Sequence, residues 1–168
     1  AWPAIPARLG ASALAMQFQL GQSQWWPSTQ LASRQREQLA ALLEHASRTT
    51  SFYRSRLARA RYQPGTLPDH DWYSGLPLLT RRDLQDNHDE LLSAAIPAAH
   101  GARIDGETSG STGTPVSVAG TELTRFFWRA FALRDHLWHR RDLSARAAVI
   151  RPNLASQVVT GWGPSVEF

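Results

Sequence analysis

The spacing of apolar residues predicts a helical first part of the chain. Apolar side chains fall on one face of a weakly amphipathic segment over residues 9–22. They recur at helical spacing over residues 30–48, and Ser28 stands where a residue that caps this second helix is expected. A third, short helix is predicted over residues 52–60.

A capping box marks a further helix start after the apolar segment Leu76–Leu79. Thr80 is followed three residues later by Asp83, a shorter substitute for the usual glutamate. Before it, the turn residues Pro64-Gly65 and Pro68-Asp69 predict a break in the helical pattern. The sequence therefore predicts several short helices that are separated by turns.

The pattern changes after residue 100. Arg103 to Thr108 predicts a strand, and Val116 and Val118 alternate with small or polar residues, which predicts a second strand. The glycine-rich residues between them would then form the turn of a hairpin.

A long helix and a buried strand are predicted after the hairpin. Thr121 is expected to cap a helix from Glu122 to about Arg140. Its apolar stripe includes three phenylalanines, which we expect in the core: Phe126, Phe127 and Phe131. The apolar residues 147–150 are interpreted as a buried strand of an α/β sheet.

Composition limits the classes of function. The chain has 168 residues, one domain by length or a piece of a larger one, and its two ends favour a fragment. It lacks cysteine, which excludes disulfides and thiolate sites, and it has no apolar run long enough for a membrane span. All 18 basic residues are arginine and the net charge is +4, but acids alternate with the arginines, which favours a solvated surface.

The segment most suggestive of chemistry is Thr108-Ser109-Gly110-Ser111-Thr112-Gly113-Thr114-Pro115. Five hydroxyl residues and two glycines fall in eight positions. Glycine lets successive backbone N–H groups turn toward one point, and hydroxyls add further donors, so this composition suits a phosphate. A polar hairpin tip without a ligand has the same composition and is the alternative.

Other motifs fit less well. The loop has no lysine and so is not a Walker P-loop, and its glycines match neither the dinucleotide fingerprint nor the nucleophile elbow. His136 and His139 lie three residues apart on the long helix, where a metal pair or a solvated face are the two interpretations.

The order of these segments resembles the adenylate-forming superfamily, and more narrowly the phenylacetate–CoA ligase and coenzyme F390 synthetase-like family. The loop Thr108 to Pro115 resembles the superfamily's phosphate loop. Three upstream segments resemble the family in the same order: residues 42–46, 52–54 and 76–84. The resemblance runs from about Trp25 to about Ile150.

The resemblance implies an α/β fold with two parts. Residues 1–100 would form a helical N-terminal segment, and residues 101–168 the truncated start of the ATP-binding adenylation subdomain. The family joins a carboxylic acid to AMP from ATP, with Mg²⁺, and transfers the acyl group to coenzyme A. The chain would be the N-terminal part of such a ligase, inactive alone.

The resemblance also implies which residues bind the nucleotide. They are Thr108, Ser109, Gly110, Ser111, Thr112, Gly113 and Thr114. Relatives often carry a lysine where this chain has Thr114 or Ser117, so one charged phosphate contact is missing. The family's catalytic lysine and Mg²⁺-binding acid would lie downstream, and no metal ligand is expected within this chain.

The expected partner is a small-molecule carboxylic acid in the cytoplasm, with no nucleic acid and no membrane span; a homo-oligomer is compatible with the sequence. Two alternatives stay open. One is a non-catalytic fragment that binds a nucleotide or a partner protein. The other is an arginine-rich RNA-binding module.

Overall fold

The computed structural model describes residues 5, 7–108, 113, 115–149, 158–163 and 166. The chain groups into two compact units, residues 1–25 with 123–168, and residues 26–122. The described residues form helices and one two-stranded antiparallel sheet, so the fold mixes α and β elements. The α/β class is confirmed at this coarse level.

The first unit contains the two helices α1 (Arg8–Ser23) and α7 (Glu122–Trp138). Each helix buries a small residue, Ala13 on α1 and Ala130 on α7. The Gln17 side chain Nε2 donates a hydrogen bond to the Ala130 carbonyl oxygen at 2.7 Å. Both helices lie close to the predicted bounds, so these two predictions are confirmed.

The prediction that the phenylalanines of α7 form the core was wrong. Phe126 and Phe127 are half-buried and Phe131 is 49% exposed, whereas Ala130 and Leu133 are buried. The rings instead contact one another along the helix, with centroids 6.0 and 6.1 Å apart. The buried residues of α7 are thus Ala130, whose carbonyl accepts from Gln17 of α1, and Leu133, and they do not coincide with the predicted aromatic stripe.

The second unit begins with five helices and a short 3-10 turn. These are α2 (Ser28–Thr49), α3 (Ser51–Arg59), α4 (His70–Ser74), α5 (Arg81–Asp86), α6 (His88–Leu91) and the turn Ala98–His100. Leu43 of α2 and Leu57 of α3 are buried, and these two helices contact each other. The helices predicted over residues 30–48 and 52–60 are confirmed.

Of the two helix caps predicted in this unit, one was wrong and the other is confirmed. The Pro27 carbonyl accepts from the backbone N–H groups of Gln30 and Leu31, so α2 already includes Ser28 and the predicted Ser28 cap was wrong. The capping box at α5 is confirmed. Thr80 Oγ1 accepts from the Asp83 backbone N–H at 3.1 Å, and Asp83 Oδ2 accepts from the Thr80 backbone N–H at 2.8 Å.

The capping box makes stability depend on acid pH. Hydrogen bonds from the Thr80 backbone N–H and hydroxyl lower the pKa of Asp83, and Arg56 contributes by its charge. The stabilisation is therefore present above the carboxyl's ordinary pKa and is lost as the pH falls through the lower folded-state pKa. We expect Asp83→Asn to flatten the acid side of a urea-denaturation profile measured against pH. Asp89→Asn, at an exposed carboxylate of α6, should leave the profile as steep as in the parent chain.

The densest arginine cluster of the sequence lies on and just after α3 and helps to hold the fold; its members are Arg54, Arg56, Arg59 and Arg61. Arg54 donates to the carbonyl oxygens of Ser47 and Arg48 at 3.3 and 2.7 Å, and thereby satisfies the end of α2. Arg56 donates to the Pro77 carbonyl oxygen. Two guanidinium groups of this cluster thus bind backbone carbonyls, which weakens the RNA-binding alternative.

The apolar segment after α7 does not form the expected strand. Residues 147–149 have no strand conformation, and Val149 is 70% exposed; Ile150 lies outside the described residues. In the described part of the chain the sheet has only β1 and β2, so these residues lack a strand to pair with. No helix in the described ranges is both long and apolar enough to span a membrane.

Candidate functional site

The glycine-rich loop lies at the tip of a β-hairpin. Strands β1 (Arg103–Glu107) and β2 (Ser117–Thr121) pair antiparallel, with Glu107 opposite Ser117 at the end next to the loop. The predicted hairpin is therefore confirmed. Strand pairing holds the two ends of the loop together, so these ends are in position before a ligand binds at the tip.

Thr108 closes this loop through its backbone and its side chain. Its N–H donates to the Val116 carbonyl oxygen at 3.0 Å, and its Oγ1 accepts from the Val116 N–H at 2.9 Å. Val116 is only 5% exposed, so this end of the loop is anchored in the unit. The Thr108 oxygen serves as an acceptor here, and its O–H can still donate to a ligand.

The structure describes two of the seven predicted binding residues, Thr108 and Gly113. The others lie outside the described residues: Ser109, Gly110, Ser111, Thr112 and Thr114. Gly113 has φ +142°, a conformation that residues with side chains rarely adopt. An added Cβ would meet no atom within 4 Å, so glycine is needed here for its backbone conformation and not for space.

Glu107 is the carboxylate next to the loop, and the sequence analysis did not single it out. Its Oε1 accepts from the Ser117 hydroxyl at 3.4 Å across the strand pair, and both residues are exposed. A carboxylate at this place repels a bare phosphate chain and favours one neutralised by a cation. The sequence feature that could have identified Glu107 is its position, one residue before the loop.

The metal interpretation of His136 and His139 gains no support from their surroundings. Asp135 lies 3.4 Å from His139 Nε2 and 2.9 Å from the Arg141 guanidinium. Arg141 also lies 2.7 Å from His136 Nδ1. Its guanidinium group, itself a cation, therefore already lies between Asp135 and His136. No group of three or more metal-ligating side chains occurs within the described ranges.

The described residues fit part of the cofactor set that the resemblance implies. A hydroxyl at Thr108, a glycine-only conformation at Gly113 and one adjacent carboxylate suit a phosphate group accompanied by Mg²⁺. This ion typically keeps several waters and takes one or two carboxylates besides phosphate oxygens. The fit concerns the phosphates only, and coenzyme A has no counterpart among these contacts.

No protein-family model matches the chain, and neither does any curated protein. The resemblance stated in the sequence analysis therefore depends on the motifs and their order in the sequence alone.

Proposed function

We propose that this chain is the N-terminal part of an AMP-forming carboxylate–CoA ligase, similar to the phenylacetate–CoA ligase family, and that its hairpin loop holds the phosphates of ATP. The observation that carries the proposal is the closure of a Ser/Thr/Gly loop by Thr108 and Val116 at 2.9 and 3.0 Å. This closure fixes the ends of a loop whose composition suits phosphate oxygens.

In the proposed reaction a carboxylate oxygen attacks the α-phosphorus of ATP, and the bond to the bridging oxygen of pyrophosphate breaks. Charge grows on pyrophosphate as it leaves, and donors already in place stabilise it. The O–H of Thr108 and the backbone at Gly113 act on this group. Mg²⁺, when bound, neutralises phosphate charge, and Glu107 is the carboxylate placed to attract it.

Because the 168 residues contain no lysine, the proposal assigns them nucleotide binding and not catalysis. The family uses a lysine in catalysis, and all 18 basic residues here are arginine. A lysine from sequence outside these residues would be required for turnover. The chain itself then binds the nucleotide and does not form acyl-adenylate.

The proposal predicts that the chain binds Mg–ATP and Mg–pyrophosphate more tightly than AMP, because AMP lacks the β- and γ-phosphates. Nuclear magnetic resonance titration of the chain measures all three affinities. Gly113→Ala should weaken Mg–ATP about tenfold, because about 1.4 kcal/mol of strain at positive φ shifts the free loop away from the conformation that binds. Gly65→Ala is the matched control, because Gly65 also has positive φ (+81°) and open space around it but lies in the turn between α3 and α4.

Equal affinity for AMP and ATP, or equal effects of Gly113→Ala and Gly65→Ala, would contradict a phosphate-holding loop. A protein that contains this chain and the sequence following it should catalyse ATP–pyrophosphate exchange with at least one of a panel of aryl and acyl acids. Nucleotide binding without exchange for any acid would favour the non-catalytic alternative.

A further inference from the structure

A cleft of about 520 Å³ lies within the second unit, between α2, the residues that follow α6 and the open end of the hairpin. Its apolar lining includes Leu42 on α2 and Leu92 and Ile96 after α6. The size falls in the usual range for sites that take small molecules. The loop follows the opposite end of β1, where Glu107 lies about 13 Å from Arg103 at the usual rise of a strand.

One polar pair on the cleft wall is already satisfied. The Ser93 hydroxyl donates to the Ala95 carbonyl oxygen at 2.7 Å, and His45 Nε2 lies 3.3 Å from the same Ser93 oxygen. Because the single hydroxyl hydrogen goes to Ala95, His45 Nε2 must be the donor in this contact. His45 thus does not accept a proton from Ser93, and the pair is a structural contact and not a nucleophile with its base.

Arg103 gives the cleft its charge preference, and His100 adds a hydrogen-bonding group. Arg103 and His100 both line it, and none of its lining residues is acidic. Asp105, on the same face of β1, binds Arg103 Nε at 2.5 Å and so orients the guanidinium group. Among the described residues, the Arg103 side chain makes this one hydrogen bond, through Nε. Its two terminal nitrogens, Nη1 and Nη2, can therefore donate to a ligand.

We propose that this cleft binds an amphipathic organic anion, an apolar chain or ring that carries one sulfonate or carboxylate group. The apolar body would lie against Leu42, Leu92 and Ile96, and the charged group would accept hydrogen bonds from Arg103 and His100. The site needs neither nucleotide nor Mg²⁺, and it is separate from the loop.

The test is calorimetric titration of the whole chain with 1-octanesulfonate, without ATP or Mg²⁺. A sulfonate cannot be adenylated, so the result is independent of the proposed ligase activity. We expect 1-octanesulfonate to bind at least tenfold more tightly than either 1-octanol or methanesulfonate, which each lack one half of the proposed ligand. Arg103→Gln should weaken binding about tenfold, the effect of losing one hydrogen bond to a charged group.

The control variants distinguish an effect of charge on binding from a loss of folding. Leu42 is 62% exposed, so both Leu42→Glu and Leu42→Gln should fold, and only Leu42→Glu places a negative charge beside the anion. Leu42→Glu should weaken binding at least fivefold more than Leu42→Gln by like-charge repulsion. Arg34→Gln removes an exposed arginine of α2 outside the cleft and should leave the affinity unchanged. Equal binding of octanol, or equal affinities of the two Leu42 variants, would overturn the proposal.

Discussion

Thr108→Val is expected to weaken the binding of Mg–ATP at least tenfold, whereas Thr108→Ser is expected to bind nearly as well as the parent chain. Valine has nearly the shape of threonine but no oxygen, so the Val116 N–H loses its acceptor at 2.9 Å. A buried donor without a partner costs about 1–3 kcal/mol. Valine also removes the hydroxyl that the proposal assigns to phosphate. Titration with Mg–ATP and urea denaturation of the same samples measure the two effects.

Thr66→Val is the matched control for this substitution. The Thr66 hydroxyl donates to the Gln63 carbonyl oxygen at 2.7 Å in an exposed turn of the same unit. Its loss should leave the affinity for Mg–ATP unchanged. If Thr108→Val binds Mg–ATP as well as Thr66→Val does, or if serine fails to restore binding, Thr108 has no part in a phosphate site.

The elements that the sequence predicted correctly depend on contacts between close neighbours in the chain. The capping box joins Thr80 and Asp83 across three residues, and each partner can be identified from residue type and spacing alone. The hairpin depends on alternation within two short segments, and it forms in the register that pairs Gly106 with Val118. Local patterns of this kind change little with the rest of the fold.

The incorrect predictions concern burial, which depends on distant partners. Phe131 and Val149 are apolar, and their spacing does not tell whether another element covers them. On α7 the partner helix covers Ala130 instead, and residues 147–149 have no neighbouring strand in the described chain. Only the arrangement of whole elements decides such burial.

The sequence patterns placed the ends of α3 and α7 within two residues but did not predict the backbone conformation that follows them. Arg61 after α3 and Arg140 after α7 have φ of 57° and 49°, at positions where glycine is usual. At each end the next residue's N–H bonds to a carbonyl five residues back, at 3.0 and 3.1 Å. Rules that expect glycine after a helix do not predict this conformation, because arginine adopts it here at some cost.

The sequence predicted which residue types form the candidate site, but it did not predict the structural role of each residue. Residue types alone indicated a loop rich in donors. That Thr108 also closes the loop requires knowing that Val116 lies opposite it, eight residues along the chain. Glu107 gained importance only when the strand pairing placed it beside Ser117 at the base of the loop.

Gly101→Ala is expected to lower the free energy of unfolding by about 2–3 kcal/mol, from backbone strain together with a steric conflict. Gly101 has φ +72°, and an added Cβ would lie 2.9 Å from the Glu122 Cβ and closer still to its carboxylate. The carboxylate can rotate away, but the Glu122 Cβ cannot, because the Glu122 N–H is bonded to the Ala102 carbonyl oxygen at 3.1 Å. The conflict therefore falls where the hairpin joins α7.

Urea denaturation followed by circular dichroism measures this loss, and Gly75→Ala is its control. Gly75 has φ −78°, and an added Cβ would make only ordinary contacts of 3.5 Å with backbone oxygens. That substitution should raise stability by about 0.4–1 kcal/mol, because alanine restricts the unfolded chain. Gly101→Ala/Glu122→Gly removes the conflicting Cβ and should recover the steric part of the loss while the strain of positive φ remains. If the double variant is no more stable than Gly101→Ala, the contact with Glu122 is not what requires glycine at position 101.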